Sequence, residues 1–81
     1  MKIIVKDYEA VALDGKFDGF CIELLSDEEM IEVFLYHEQY GVKSLMFGLN
    51  NNFQNRLNLR DIIANNIEEH IAMYTGEFMA E

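Results

Sequence analysis

The chain has no proline, no tryptophan and a single cysteine, Cys21, among its 81 residues. Without proline, the loops must take their shape from glycine, asparagine and aspartate. One thiol excludes an intramolecular disulfide and a cysteine-built zinc cluster, and a secreted domain this small ordinarily carries several disulfides. Positive charge is also scarce. Six Lys and Arg face 15 Asp and Glu, a net charge of −9. Nucleic acid is bound mainly through Lys and Arg on its phosphates, so direct nucleic-acid binding is not expected. An anionic membrane surface is disfavoured for the same reason. Long hydrophobic runs are missing too: Ile3-Ile4-Val5 gives way at once to Lys6-Asp7, too short for a signal peptide or a membrane span. These absences together predict a cytoplasmic chain; no cofactor or metal is indicated, and a small-molecule ligand is disfavoured.

What is present is a folding composition. Hydrophobic residues make up 51% and aromatics 12%, well above the disordered class. The length suits one domain over residues 1–81. A domain of this size buries about two-thirds of its unfolded surface, so its stability is modest, and association with a partner or a second copy would add to it.

The β-branched segment Lys2 to Lys6 reads as a strand, with a continuation through Tyr8 and Ala10-Val11-Ala12-Leu13. Asp14-Gly15 and Asp18-Gly19 are turn dipeptides, and Phe20 to Leu25 is a second strand. Residues 27–40 carry two signals. Ser26-Asp27-Glu28-Glu29 resembles a helix N-cap with a capping box, with Gly41 as the stop. On a helical wheel, however, Met30, Ile31, Val33, Phe34, Leu35, Tyr36 and Tyr40 spread round most of the circumference instead of forming one stripe. As a strand, Ile31, Val33 and Leu35 share one face, and Phe34 and Tyr36 the other. The run from Lys43 then places Leu45, Phe47 and Leu49 on one face, joined through His37-Glu38-Gln39-Tyr40-Gly41 as a hairpin. Leu59, Ile63, Ile67, Ile71 and Tyr74 repeat at helical spacing, so Leu59 to Tyr74 is an amphipathic helix with Asn58 as N-cap and Gly76 after its end. The predicted fold is α+β: an antiparallel meander of about four strands with one C-terminal helix on one face. A ββαβα arrangement, with residues 27–40 helical, is the alternative.

No residue set spells out a reaction. Cys21 sits in a strand, where a small buried hydrophobe is the common role. Ser26, Ser44 and Thr75 have no nucleophile motif around them, and Gly15 to Gly19 lack P-loop spacing. Asn66 and His70 lie four apart on the helix's apolar arc. They form either a hydrogen-bonded core pair or the polar floor of a pocket with a titratable imidazole. His37, in Tyr36-His37-Glu38-Gln39-Tyr40, is either an ordinary hairpin rim or a recognition tip. Zinc held by His37, His70 and a Glu is allowed by the residue types but not required by the spacing. The acids form no single block along the chain.

The run Val33 to Gly48 resembles a segment of short acidic proteins of gut Gram-positive bacteria and their mobile elements, over about a fifth of the chain. The acidic C-terminal helix shows a weaker likeness. The resemblance supplies no activity and no functional residue; it implies a cytoplasmic accessory protein. Three functions follow in order. First comes a protein-interaction module that self-associates through an open sheet face and tip, with Phe34, Tyr36, His37, Tyr40 and Met46 at the contact. An acidic inhibitor or nucleic-acid mimic that docks on a basic protein is second. A ligand binder or enzyme using Asn66, His70 and His37 is third.

Overall fold

The computed structural model describes residues 3–5 and 19–79. The strict alternation between Met30 and His37 resolves into a strand, β3, with Ile31, Val33 and Leu35 almost fully buried and the residues between them half-exposed. The other strands are β1 (Ile3–Val5), β2 (Phe20–Ser26) and β4 (Ser44–Asn50). They form one antiparallel sheet in the order β1-β2-β3-β4. β2, β3 and β4 are full strands of 7, 8 and 7 residues. β1 contributes only 3 residues along one edge, so the substantial sheet has three strands, one fewer than the sequence pattern implied. The expected extension through Tyr8 to Leu13 and the Asp14-Gly15 turn lie outside the described residues.

The helical alternative for residues 27–40 is overturned by β3. The local cap signal was real but serves a turn. The Asp27 carboxylate accepts the amides of Glu29 and Met30, each at 2.9 Å, and the Asp27 N–H donates to Met30 O. A side chain that satisfies backbone amides does the same work at a tight turn as at a helix start. At the opposite end, Tyr40 N–H and Gly41 N–H both donate to His37 O, and Gly41 takes φ +74°, a left-handed position that favours glycine.

The helix, α1, runs from Phe53 to Tyr74. It begins six residues before the expected start. Asn52, not Asn58, is the N-cap, its Oδ1 accepting Asn55 N–H at 2.8 Å. The apolar stripe begins only at Leu59 because the earlier turns do not face the core, so periodicity is silent about them. Gly76 does not stop the helix in a left-handed conformation; the chain widens into a π-helical turn, Thr75–Met79.

α1 lies over β3 and β4. Its ridge of Leu59, Ile63, Ile67 and Ile71, with Tyr74, packs against Ile22, Leu24, Ile31, Val33, Leu35 and Met46. Each such side chain contributes roughly 1.5–3 kcal/mol of burial. The register of β4 breaks once. Val33 pairs with Phe47 but Phe34 pairs with Leu45, so Met46 is an extra residue, a β-bulge. The bulge overturns two expectations. Leu45 does not share a face with Phe47 and Leu49; it turns to the side away from the helix and is 50% exposed. Met46, expected at an exposed contact, is 7% exposed and belongs to the core.

A corner of neutral side chains ties the β2–β3 turn to the start of α1. Asn51 Nδ2 donates to Asp27 O, Asn51 N–H to Glu29 O and Asn55 Nδ2 to Asn50 O. This asparagine-rich junction holds the helix at its angle over the sheet.

Candidate interaction surface

The sites singled out by sequence separate into three places. His37 and Tyr40 belong to an aromatic cluster where the β3–β4 tip meets the end of α1. The His37 ring stands edge-on to Phe20 at 4.9 Å and to Tyr40 at 5.4 Å, and Phe20 in turn stands edge-on to Tyr74 at 5.6 Å. Phe78, from the π-helical turn, closes on Tyr74 at 4.9 Å. Edge-to-face pairs at these separations are favourable beyond their burial alone. The Tyr74 hydroxyl accepts His37 N–H at 3.3 Å and donates to Val42 O at 2.6 Å. One buried hydroxyl thereby holds both arms of the tip.

His37 Nδ1 accepts Gln39 N–H at 3.1 Å. A ring nitrogen that accepts carries no proton, so neutral His37 keeps its proton on Nε2. Gly19, at φ +88°, passes directly beneath; a Cβ there would lie 2.3 Å from Nε2. His37 is therefore a wedged structural residue of the tip, and Tyr40, 43% exposed, is its outward part.

Phe34 and Tyr36 occupy the sheet face away from the helix, both half-buried. Tyr36 pairs in register with Cys21, and Phe34 with Glu23. Cys21 and Glu23 are each 6% exposed, so this face is less open than the pattern implied. Glu23 is ion-paired with Lys43, whose ammonium also stands 5.9 Å from the Tyr36 ring centroid. Among the described residues, no buried side-chain nitrogen or oxygen lacks a hydrogen-bond partner.

Asn66 and His70, both half-buried, each hydrogen-bond to the backbone of their own helix four residues back. Asn66 Nδ2 donates to Ile62 O at 2.7 Å, and His70 Nδ1 lies 3.0 Å from Asn66 O. A carbonyl oxygen only accepts, so in this contact Nδ1 carries a proton and donates. The ring contacts of His37 are instead with Phe20 of β2 and Tyr40 of the tip. Among the described residues no group of three His, Cys, Asp or Glu is placed to hold a metal ion, and no helix is long and apolar enough to cross a membrane.

The surface that sequence reasoning missed is defined by an absence. No Asp or Glu occurs from Gln39 to Arg60, a stretch holding Lys43, Arg56 and Arg60. It carries +3, and the remainder of the chain −12, which together give the −9 total. Five of the seven exposed large hydrophobics among the described residues fall within it: Tyr40 43%, Val42 44%, Leu45 50%, Phe53 70% and Leu57 66%. They are spread over the tip, the face of β4 away from the helix and the first turns of α1, which begin at the end of the sheet opposite the tip. The acids form no single block along the chain; the informative pattern is where they stop. Comparison with protein-family models, curated proteins and solved structures returns no match, so the surface itself carries the functional reading.

Proposed function

We propose that the protein is an interaction module that associates with a second copy of itself through the acid-free band. The observation that carries this reading is the coincidence of exposed apolar side chains with the segment from which acids are excluded. Apolar patches free of like charge mark contact surfaces. In a molecule of net charge −9, self-association is opposed by repulsion everywhere else. A band of charge +3 within a chain otherwise at −12 complements the remainder of a second copy.

The inhibitor or nucleic-acid-mimic reading calls for carboxylates gathered on one surface. Among the described residues the exposed acids are divided: Glu28 and Glu29 at the β2–β3 turn, Glu38 at the opposite tip, Asp61, Glu68 and Glu69 along α1, and Glu77 in the π-helical turn. That division favours the first reading.

Sedimentation velocity and light scattering between about 5 and 500 µM protein test the proposal, over the range typical of a weak or transient pair. A concentration-dependent shift toward dimer is expected. Leu57→Lys, at a surface position outside the core, should reduce it while leaving the circular dichroism spectrum unchanged. A monomer throughout that range removes self-association.

A further inference from the structure

The geometry points to a specific pairing within that association: two α1 helices packed antiparallel across a two-fold axis at Ala64. This inference rests on the self-association reading and names its contact. At about 100° per residue, Phe53, Leu57, Arg60, Ala64, Glu68 and Thr75 form one stripe, turned by about 80° from the buried ridge. These six are exposed, while Ile71, at the same angle and opposite Leu57 of the second copy in the register below, is buried in the core.

The stripe is self-complementary when reversed. With Ala64 opposite Ala64 of the second copy, residue numbers facing one another sum to 128. Arg60 then faces Glu68 of the second copy, and Glu68 faces its Arg60, giving two opposite-charge pairs related by the axis. Phe53 faces Thr75 of the second copy, a large side chain against a small one. The small side chain at the centre lets the two helix axes approach to about 8 Å, the near end of the usual range. No like charges meet along this line, whereas a parallel alignment would set Arg60 against Arg60 and Glu68 against Glu68. Antiparallel packing also opposes the two helix dipoles favourably.

The competing route, edge-to-edge pairing of β4, is weakened by the bulge at Met46. Bulges disrupt the regular row of backbone donors and acceptors that strand pairing needs. The 22 residues of α1 span about 33 Å, enough to carry the contact from Phe53 to Thr75.

Disulfide trapping tests the register in a Cys21→Ala background whose fold is verified by circular dichroism and thermal melting. Ala64→Cys places two thiols at the axis, where the separation falls within the roughly 4.4–6.8 Å Cα range a disulfide spans. Mild oxidation should convert it to a covalent dimer. Asn65→Cys, exposed at the same height on a different face, should cross-link at least about tenfold more slowly, because its thiols point apart. In the wild-type background, Arg60→Glu and Glu68→Arg should each raise the dimer Kd about fivefold or more, and the double exchange should restore it. If the wild type dimerises but the two cysteines cross-link equally, or the double exchange fails to rescue, the Ala64 axis is wrong and self-association stands. If the wild type stays monomeric at every concentration, both fall.

Discussion

Replacing Tyr74 with Phe removes one oxygen and leaves the ring in place, which makes it a clean probe of how the tip is held. The hydroxyl accepts His37 N–H at 3.3 Å and donates to Val42 O at 2.6 Å, and the residue is 1% exposed. Each bond contributes about 0.5–1.5 kcal/mol net, and an unsatisfied buried partner adds to the loss. The longer bond to His37 belongs at the low end. Val42 is 44% exposed, so water reaches that side of the loop and replaces part of the bond to its carbonyl. The expected destabilisation is therefore about 1–2 kcal/mol. For a domain of this size that lowers Tm by about 4–16 °C. In urea the midpoint should fall by about 1–2 M at an unchanged slope near 1 kcal/mol/M. Equilibrium unfolding followed by circular dichroism supplies both numbers. Amide exchange should accelerate at His37, Tyr40 and Gly41 beyond the global change, because the tip is what the hydroxyl fastens. A loss below about 0.3 kcal/mol, within the usual scatter of neutral surface changes, would show that the hydroxyl does not hold the tip.

Three further pairs of substitutions test separate parts of the fold. Gly19→Ala meets both a left-handed φ and a Cβ 2.3 Å from His37 Nε2; it should cost more than about 2 kcal/mol. Gly48→Ala, whose Cβ would meet the Met30 methyl at 3.4 Å and the Ile31 carbonyl oxygen at 3.9 Å, both ordinary contact distances, should stay within about 0.5 kcal/mol of wild type in urea unfolding. Asn52→Ala should lower stability by about 1 kcal/mol through loss of the cap. Asn58→Ala, in the helix interior, should change it by less than about 0.5 kcal/mol; the reverse ranking would place the helix start at Asn58. Met46→Ala should cost about 2–4 kcal/mol as a buried side chain, while Leu45→Ala should cost less than about 1 kcal/mol. Equal losses in thermal melts would contradict the bulge.

Much of the sheet was legible because side-chain alternation is a local signal. Ile31, Val33 and Leu35 alternate with Glu32, Phe34 and Tyr36, and no helix could have gathered them into one stripe. The cap-like Ser26-Asp27-Glu28-Glu29 pointed the other way because a carboxylate that accepts two amides suits a turn and a helix start equally. The helix ridge from Leu59 was legible for the same reason as the strand, while the turns from Phe53 were not, since they bury nothing in the core. A bulge leaves no trace in composition, so Met46 and Leu45 exchanged their expected places. The roles of His37 and Tyr74 depend on bringing residues 37 positions apart into one hydrogen bond, and no spacing along the chain announces that. The acid-free stretch was visible in the sequence throughout; its meaning appeared only once Phe53, Leu57 and Leu45 were seen to be exposed.

The extra residue in β4 also bears on how this chain tolerates changes in length. Phe47 pairs with Val33 and Leu45 with Phe34, and these partners are already consecutive on β3. Deleting Met46 would therefore close the ladder without shifting either half, so the loss is one core side chain and not the alignment of a strand. Deleting Leu45 or Phe47 would let Met46 fill the vacated place, so the rest of the ladder again keeps its register. Deleting a residue from β3, which holds no extra position, would instead slide one half by a position and turn its side chains to the opposite face.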